Sequence, residues 1–466
     1  MRPIATNINY RTVGRGMTQI GRVVLKSSRT ENLKPEDGIT LGRALAMDHK
    51  KVLVGRDSSS SSAMMANSVI SGLLFQGADV IDAGIVSAPA AAMSSVKGDC
   101  TVYVAGRRDM VSGYYLLNPD GSMFRDDQIR HLDLFFQNPP ARPTHDRLGR
   151  YTLRDGITEE FNRKIVSLLE GDTKCTVFLD CRCGTTSDSI PQILNKLGAD
   201  IVTIDAQRDM DYMGSSEGCD HIMDIVAKSP GCIGIRMNRT GTAIEVIDET
   251  GRLLPMETVF ALLALYLRPS SIAIPVNSSS LMEDVFENGI QSEIDTPFPE
   301  PASRNTVLTR DNASAVCEAM IAGSELGYYH GSILFGGEAA IGNGIRAAAV
   351  IAQMAGSNSL HRLADLMPEY LREEKSVDCG FKAEMFRHLF EENAKDLTGK
   401  WTQYGDSYRV VMDSGWFMLS HVNRAEGNTQ IVITAESKDR AYLAGLMEIA
   451  DGLTAEIVRE GRLNAI

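Results

Sequence analysis

The stretch from Lys51 to Ile85 constrains the fold most. KVLVGRD is a short apolar run ending in Gly55 and Arg56, SSAMMANSVISGLLFQGA carries a helical pattern, and DVIDAGI is a second apolar run. Strand, helix and strand in that order form a βαβ unit. Such units require a parallel sheet with helices laid over its faces, because a parallel neighbour can only be reached by a crossover.

The rhythm returns. CTVFLD, TTSDSIPQILNKLGA and DIVTIDA repeat strand, helix and strand, and GCIGIRM with AIEVIDETGRLL reads as a hairpin-like strand pair. METVFALLALYL is a helix, SIAIPVN and SILFGG are strands, and GIRAAAVIAQMAG is a helix again. The last part differs: YRVVMDSGWFMLSHVN and TQIVITAES are strands rich in β-branched residues, followed by the long amphipathic helix DRAYLAGLMEIADGLTAEIVREG. At 466 residues the chain exceeds what one core supports. The Pro- and charge-rich stretch QNPPARPTHDRLGR, the Leu254–Glu257 junction and the EYLREEKSVD segment divide it into units 1–150, 151–256, 257–370 and 371–466. The expected class is α/β: three similar α/β units with mixed sheets and a C-terminal α+β unit.

A net charge of −13 argues against non-specific binding to nucleic acid or to an anionic membrane face. With no apolar signal core and no run long enough to span a bilayer, the expectation is a cytoplasmic protein. The 8 cysteines are too sparse for a disulfide scaffold, and the Cys181/Cys183 pair lacks the second pair that a zinc site needs. The serine run Ser58 to Ser62 reads as a helix N-cap.

From Val52 to Pro89 the sequence VLVGRDSSSSSAMMANSVISGLLFQGADVIDAGIVSAP resembles the first domain of the α-D-phosphohexomutases, the phosphoglucomutase and phosphomannomutase superfamily. NLKPEDGITLGRALAM, LLNPDGSMF, VFLDCRCGTTSDSIPQILNKLGADIV, IDETGRLLPMETVFALLALYL, ILFGGE and SGWFML extend the likeness in order over nearly the whole chain. The resemblance implies four domains around a central cleft, with one functional loop from each. It also implies interconversion of sugar 1- and 6-phosphates through an enzyme phosphoserine, a Mg²⁺ ion and a bisphosphorylated intermediate.

The four loops depart from the family pattern. Where the family has approximately TASHNP, this chain has Ala105, Gly106, Arg107, Arg108, Asp109 and Met110, so Arg107 stands at the phosphoserine position and Ser112 is the only hydroxyl left in the loop. The metal loop, DGDADR in the family, aligns with Asn238, Arg239, Thr240, Gly241, Thr242 and Ala243. Asn238, Thr240 and Thr242 thus replace three carboxylates, and Mg²⁺, which needs such oxygens, is expected to be lost as a cofactor. The sugar loop, GGEESGH in the family, reads Gly336, Gly337, Glu338, Ala339, Ala340: the glutamate stays and the serine does not. The phosphate loop RPSGTEP becomes Ser420, His421, Val422, Asn423, Arg424, with Ser420 replacing the first arginine and Arg424 a displaced cation.

Departure at all four loops, with the scaffold legible between them, implies a family member that has lost its phosphoserine and metal residues and acts without catalysis. Its candidate ligand-binding residues are Arg107, Arg108, Asn238, Arg239, Glu338, His421, Asn423 and Arg424, and its candidate ligand is a phosphorylated small molecule or another anion. Alternatively these arginines form ion pairs across the cleft with Asp109, Glu338 or Glu426. A scaffold or partner subunit, with itself or with another protein, stays open as well. So does the alternative of an active phosphohexomutase, or another phosphosugar enzyme, with altered catalytic residues. His330 and His421 read as hydrogen-bonded residues rather than acid–base catalysts.

Overall fold

The computed structural model describes residues 34–95, 98–106, 112–138, 141, 147–169, 171, 173–208, 219–290, 304–338, 340–395, 397–423 and 428–464. Four sheets follow one another along the chain. The first runs, edge to edge, Ser112–Leu117, Cys100–Gly106, Lys51–Arg56, Asp79–Ile85 and Tyr151–Leu153. Its first strand is antiparallel to its neighbour and the other four are parallel. The sheet thus reaches just past residue 150, to Leu153.

The second sheet is ordered Leu253–Leu254, Ile244–Ile247, Cys232–Met237, Thr176–Asp180 and Asp200–Ile204, the last three parallel. The third is ordered Asn305–Thr309, Ser271–Pro275, Leu326–Tyr329 and Ser332–Phe335, with only the last strand reversed. The fourth is wholly antiparallel: Leu371–Asp378, Thr429–Ser437, Gly415–Asn423, Ser407–Met412 and Lys400–Tyr404. Three mixed α/β units and one α+β unit are the architecture that the alternating pattern calls for.

Small residues set the packing where helices meet. The Pro35–Asp48 and Ser60–Gln76 helices touch backbone to backbone. A β-carbon on Gly42 would lie 2.2 Å from the Val69 carbonyl oxygen, and one on Gly72 would lie 2.2 Å from that of Ile39. Either substitution would push the helices apart.

Buried apolar side chains form one continuous core through the first three units, from Leu53 and Tyr103 through Phe161 and Phe260 to Ile345. The fourth unit has its own core, in which Phe390 stacks on Tyr408 at 3.9 Å between ring centroids. It docks on the third through a buried polar clasp. The Glu436 carboxylate accepts the Ser280 N–H at 2.7 Å and the Trp416 indole N–H at 3.0 Å, and the same indole nitrogen lies 2.8 Å from the Ser280 hydroxyl. Glu436 thereby sits at the N-terminus of the Ser280–Asn288 helix, where a negative charge is stabilised.

The EYLREEKSVD stretch, read from its charges as a boundary, contributes a full strand: Leu371–Asp378 pairs along its whole length with Thr429–Ser437. It is an edge strand exposed on both faces, so charge is tolerated there and blunts further pairing.

Candidate functional site

The site is built around Asp57, which follows the Lys51–Arg56 strand and is fully buried. Its Oδ2 accepts the Gly106 N–H at 2.8 Å and its Oδ1 accepts the Ser59 N–H at 2.9 Å. One carboxylate therefore ties the exit of the Cys100–Gly106 strand, where the first loop departs, to the start of the Ser60–Gln76 helix. These charge-assisted bonds offset the cost of burying the carboxylate. A β-carbon on Gly106 would lie 2.7 Å from Ser59 Cβ and from the Ser61 and Ser62 hydroxyls, so the serine run packs directly against the stem of the loop.

That corrects the capping role expected of the serines. Ser59 occupies the cap position, but its side chain makes no capping hydrogen bond. The Asp57 carboxylate instead accepts the N–H of the cap residue Ser59 itself. The Ser58 hydroxyl faces the second unit: it accepts from Arg239 Nη2 at 3.0 Å and lies 3.5 Å from the Cys183 carbonyl oxygen.

Arg239 belongs to the tight Asn238–Ala243 loop, closed by Asn238 N–H to the Ala243 carbonyl at 3.0 Å and turned at Gly241, whose φ is +81°. Three units hold this loop. The Arg239 carbonyl accepts the Thr185 N–H at 3.0 Å and the Thr185 hydroxyl at 2.8 Å, the Thr240 carbonyl accepts Ala88 N–H at 2.9 Å, and the Gly241 carbonyl accepts Gly344 N–H at 2.9 Å. Gly184 makes the approach possible, since a β-carbon there would lie 2.6 Å from Arg239 Cα.

The three positions matched to family metal ligands bond one another. Asn238 Nδ2 donates to Thr242 Oγ1 at 2.8 Å, Asn238 Oδ1 accepts the Thr242 N–H at 2.8 Å, and the Thr240 and Thr242 hydroxyls are 3.1 Å apart. Mg²⁺ asks for several oxygens, normally including carboxylates, in near-octahedral array. An amide oxygen and two hydroxyls, all neutral and already engaged, with an arginine between two of them in the chain, do not fit that ion.

Glu338 is brought close to this loop, because Gly344 bonds Gly241 and a β-carbon on Gly342 would lie 2.5 Å from the Thr242 carbonyl oxygen. Its side chain is only 4% exposed, and both oxygens are taken: Arg346 Nη1 donates at 2.6 Å and Asn343 Nδ2 at 2.8 Å. Asn343 also caps the Gly344–Ala355 helix, and the Arg346 guanidinium lies over the Phe335 ring. The ion pair of Glu338 is thus made within its own unit.

The fourth loop does not place its histidine as expected. His421 is buried inside the fourth unit, its Nε2 at 2.8 Å from the Phe381 carbonyl, so it is a core residue and not an exposed ligand contact. The cause is strand alternation: His421 lies on the face of Gly415–Asn423 that carries Phe417 and Leu419 inward. Asn423 is exposed at the end of that strand, opposite Thr429. Arg107, Arg108, Asp109, Arg424 and Glu426 lie outside the described residues, and Ser112 is described only as the first backbone position of its strand, opposite Gly106. His330 is partly exposed and bonds Asp311 at 3.1 Å; that hydrogen bond, outweighing burial, raises its pKa above the ordinary 6.5.

Sequence reading missed Asp57, Asn343 and Arg346. Asp57 follows a strand and precedes a serine run, a position that reads as an ordinary turn. Arg346 looked like one more helix residue, eight places after the glutamate it neutralises.

Three α/β units and an α+β unit, with the Asn238–Ala243 loop held between three of them, make this chain similar to the α-D-phosphohexomutase superfamily. The family model for phosphoglucomutase/phosphomannomutase, alpha/beta/alpha domain I, matches residues 22–138. The chain is 25% identical to a protein of Methanococcoides burtonii named "Probable phosphoglucosamine mutase", over 91% of this chain and 96% of that one. It is 24% identical to a Thermococcus kodakarensis protein named phosphopentomutase, over 95% and 99%. A crystal structure of a phosphoglucomutase/phosphomannomutase family protein from Burkholderia thailandensis shares the fold with a TM-score of 0.75, at 17% identity, covering 92% of this chain and 95% of that one. Among the described residues, no helix is long and apolar enough to cross a membrane.

Proposed function

We propose that this chain binds a phosphorylated sugar, or another phosphorylated metabolite, beside the Asn238–Ala243 loop, and does not transfer phosphoryl groups by the serine and magnesium route. One observation carries the reading: Asn238, Thr240 and Thr242 spend their polar atoms on each other, while Arg239 reaches across to Ser58 at 3.0 Å. A guanidinium offers a fixed positive charge and a planar set of donors suited to phosphate oxygens. Arg107 and Arg108, one and two residues beyond Gly106 in sequence, add two further cations to the candidate set. Phosphoryl transfer rests on positioning and charge stabilisation, and a loop without metal-binding carboxylates lacks the principal charge.

The reading is tested by calorimetric titration with glucose 6-phosphate in the presence of a metal chelator. Saturable heat is expected, and Arg239→Ala should weaken it at least tenfold. Absence of heat with every hexose phosphate, pentose phosphate and nucleotide tried would overturn it.

An active mutase is the second reading. Relatives named for glucosamine and pentose phosphate mutase activity match more than nine-tenths of the chain, which favours retained chemistry on a sugar phosphate. Magnesium-dependent interconversion of sugar phosphates is its signature.

A further inference from the structure

The hairpin formed by Leu326–Tyr329 and Ser332–Phe335 is tied to the Asn238–Ala243 loop. Ser332 bridges to Ala243, and Gly342 packs against both sides: a β-carbon there would lie 2.5 Å from the Thr242 carbonyl oxygen and 2.7 Å from Ser332 Cβ. At the hairpin tip stand His330, with φ +44°, and Gly331, with φ +82°. Two left-handed residues in succession suit Asn-Gly or Gly-Gly, so histidine carries a steric cost here that those residues largely avoid.

What the tip gains is an oriented imidazole. His330 Nε2 lies 3.1 Å from Asp311 Oδ1, and Asp311 Oδ2 accepts the Asn277 amide N–H at 2.9 Å. A carboxylate only accepts, so Nε2 carries a proton and Nδ1 is left over. Among the described residues nothing bonds Nδ1, and the side chain is 48% exposed. The other charges near the ring are Glu257, in the first turn of the Met256–Leu267 helix, and Arg372, from the Leu371–Asp378 edge strand. Arg372 Nη1 donates to the Asn277 carbonyl at 2.7 Å, so Asn277 holds both Asp311 and this second cation. Tyr329 stands edge-on to the imidazole, with 4.5 Å between ring centroids.

We propose that His330 is a proton-gated contact for the phosphorylated ligand: the imidazolium donates Nδ1–H to a phosphate oxygen, and the neutral ring does not. The proposal rests on the reading that such a ligand binds beside the Asn238–Ala243 loop. With the ring neutral, Nδ1 is an acceptor and turns a lone pair toward the phosphate; with the ring charged, it is a donor that carries positive charge. Asp311 favours the charged ring, and its hydrogen bond leads the causes that raise the His330 pKa above 6.5. The contact is therefore present at low pH and lost as pH rises through that raised value.

The experiment is calorimetric titration of the full chain with glucose 6-phosphate and a metal chelator at about pH 6.5 and about pH 9, beside His330→Asn, which suits the left-handed tip and removes the titrating ring. The parent should bind about tenfold more tightly at the lower pH, the worth of one charge-assisted hydrogen bond, and the variant should lose that difference. The ligand's own second ionisation acts on both proteins alike. Reciprocally, saturating ligand should raise the NMR midpoint of the His330 ring by about one unit. Saturable heat with the same pH dependence in parent and variant, or a midpoint that the ligand leaves in place, would overturn this proposal alone. Absence of heat at both pH values would overturn the binding reading and this proposal with it.

Discussion

Arg239 Nη2 donates to the Ser58 hydroxyl at 3.0 Å, and this contact joins the second unit's loop to the first unit's serine run, 181 residues away in sequence. Arg239 also offers its carbonyl to Thr185, so backbone and side chain of one residue link two units. Replacing it with methionine keeps the bulk and removes the donors. Urea unfolding of Arg239→Met should show a loss of about 1–3 kcal/mol, the cost of leaving hydrogen-bonding partners buried without their donor. A variant as stable as the parent would mean that the contact holds nothing together.

Carboxylates introduced into this loop should give it some magnesium affinity. In the parent, millimolar Mg²⁺ should leave the melting temperature unchanged, because a ligand that does not bind the native state cannot raise it. In the triple variant N238D, T240D and T242D, freed of the amide and hydroxyl bonds, added Mg²⁺ should raise it. A magnesium-dependent shift in the parent would contradict the reading of this loop.

Glu338→Gln leaves Arg346 without its carboxylate in a nearly closed pocket. Removing one partner of such a pair costs about 3 kcal/mol. Denaturant unfolding should show a loss of that order, and Glu338→Gln combined with Arg346→Met should recover part of it.

His330 gives a pH dependence of defined sign. Its pKa is raised, first by the Asp311 hydrogen bond, so the pair's stabilisation is fully present below about pH 6.5, the unfolded imidazole value, and is lost as pH rises through the folded value. NMR titration of the His330 ring should give a midpoint above 6.5, and Asp311→Asn should lower it. A midpoint that stays put in the variant would show that Asp311 is not the cause.

Much of the fold was legible because its signals are local. The apolar runs at Lys51–Arg56, Asp79–Ile85, Thr176–Asp180 and Ser271–Pro275 stand next to helical patterns, and periodicity alone orders them into parallel sheets. Leu371–Asp378 was not legible as a strand, because an edge strand exposed on both faces shows no alternation. The substitutions at Arg239, Asn238, Thr240 and Thr242 could be located by alignment to the family pattern, but their mutual bonding depends on the backbone turn at Gly241. Asp57, Arg346 and the inward face of His421 were hidden for a further reason: their partners lie on other elements, and residue type alone does not say which way a side chain turns.

The proposed function has this chain engaging sugar phosphates without magnesium-driven phosphoryl transfer. A coupled assay for interconversion of hexose 1- and 6-phosphates, run with and without Mg²⁺ beside intact-mass analysis for a bound phosphoryl group, tests it most directly. The prediction is no turnover above background in either condition and no phosphorylated species. Sustained turnover that requires Mg²⁺, with a phosphoryl group on the chain, would contradict it.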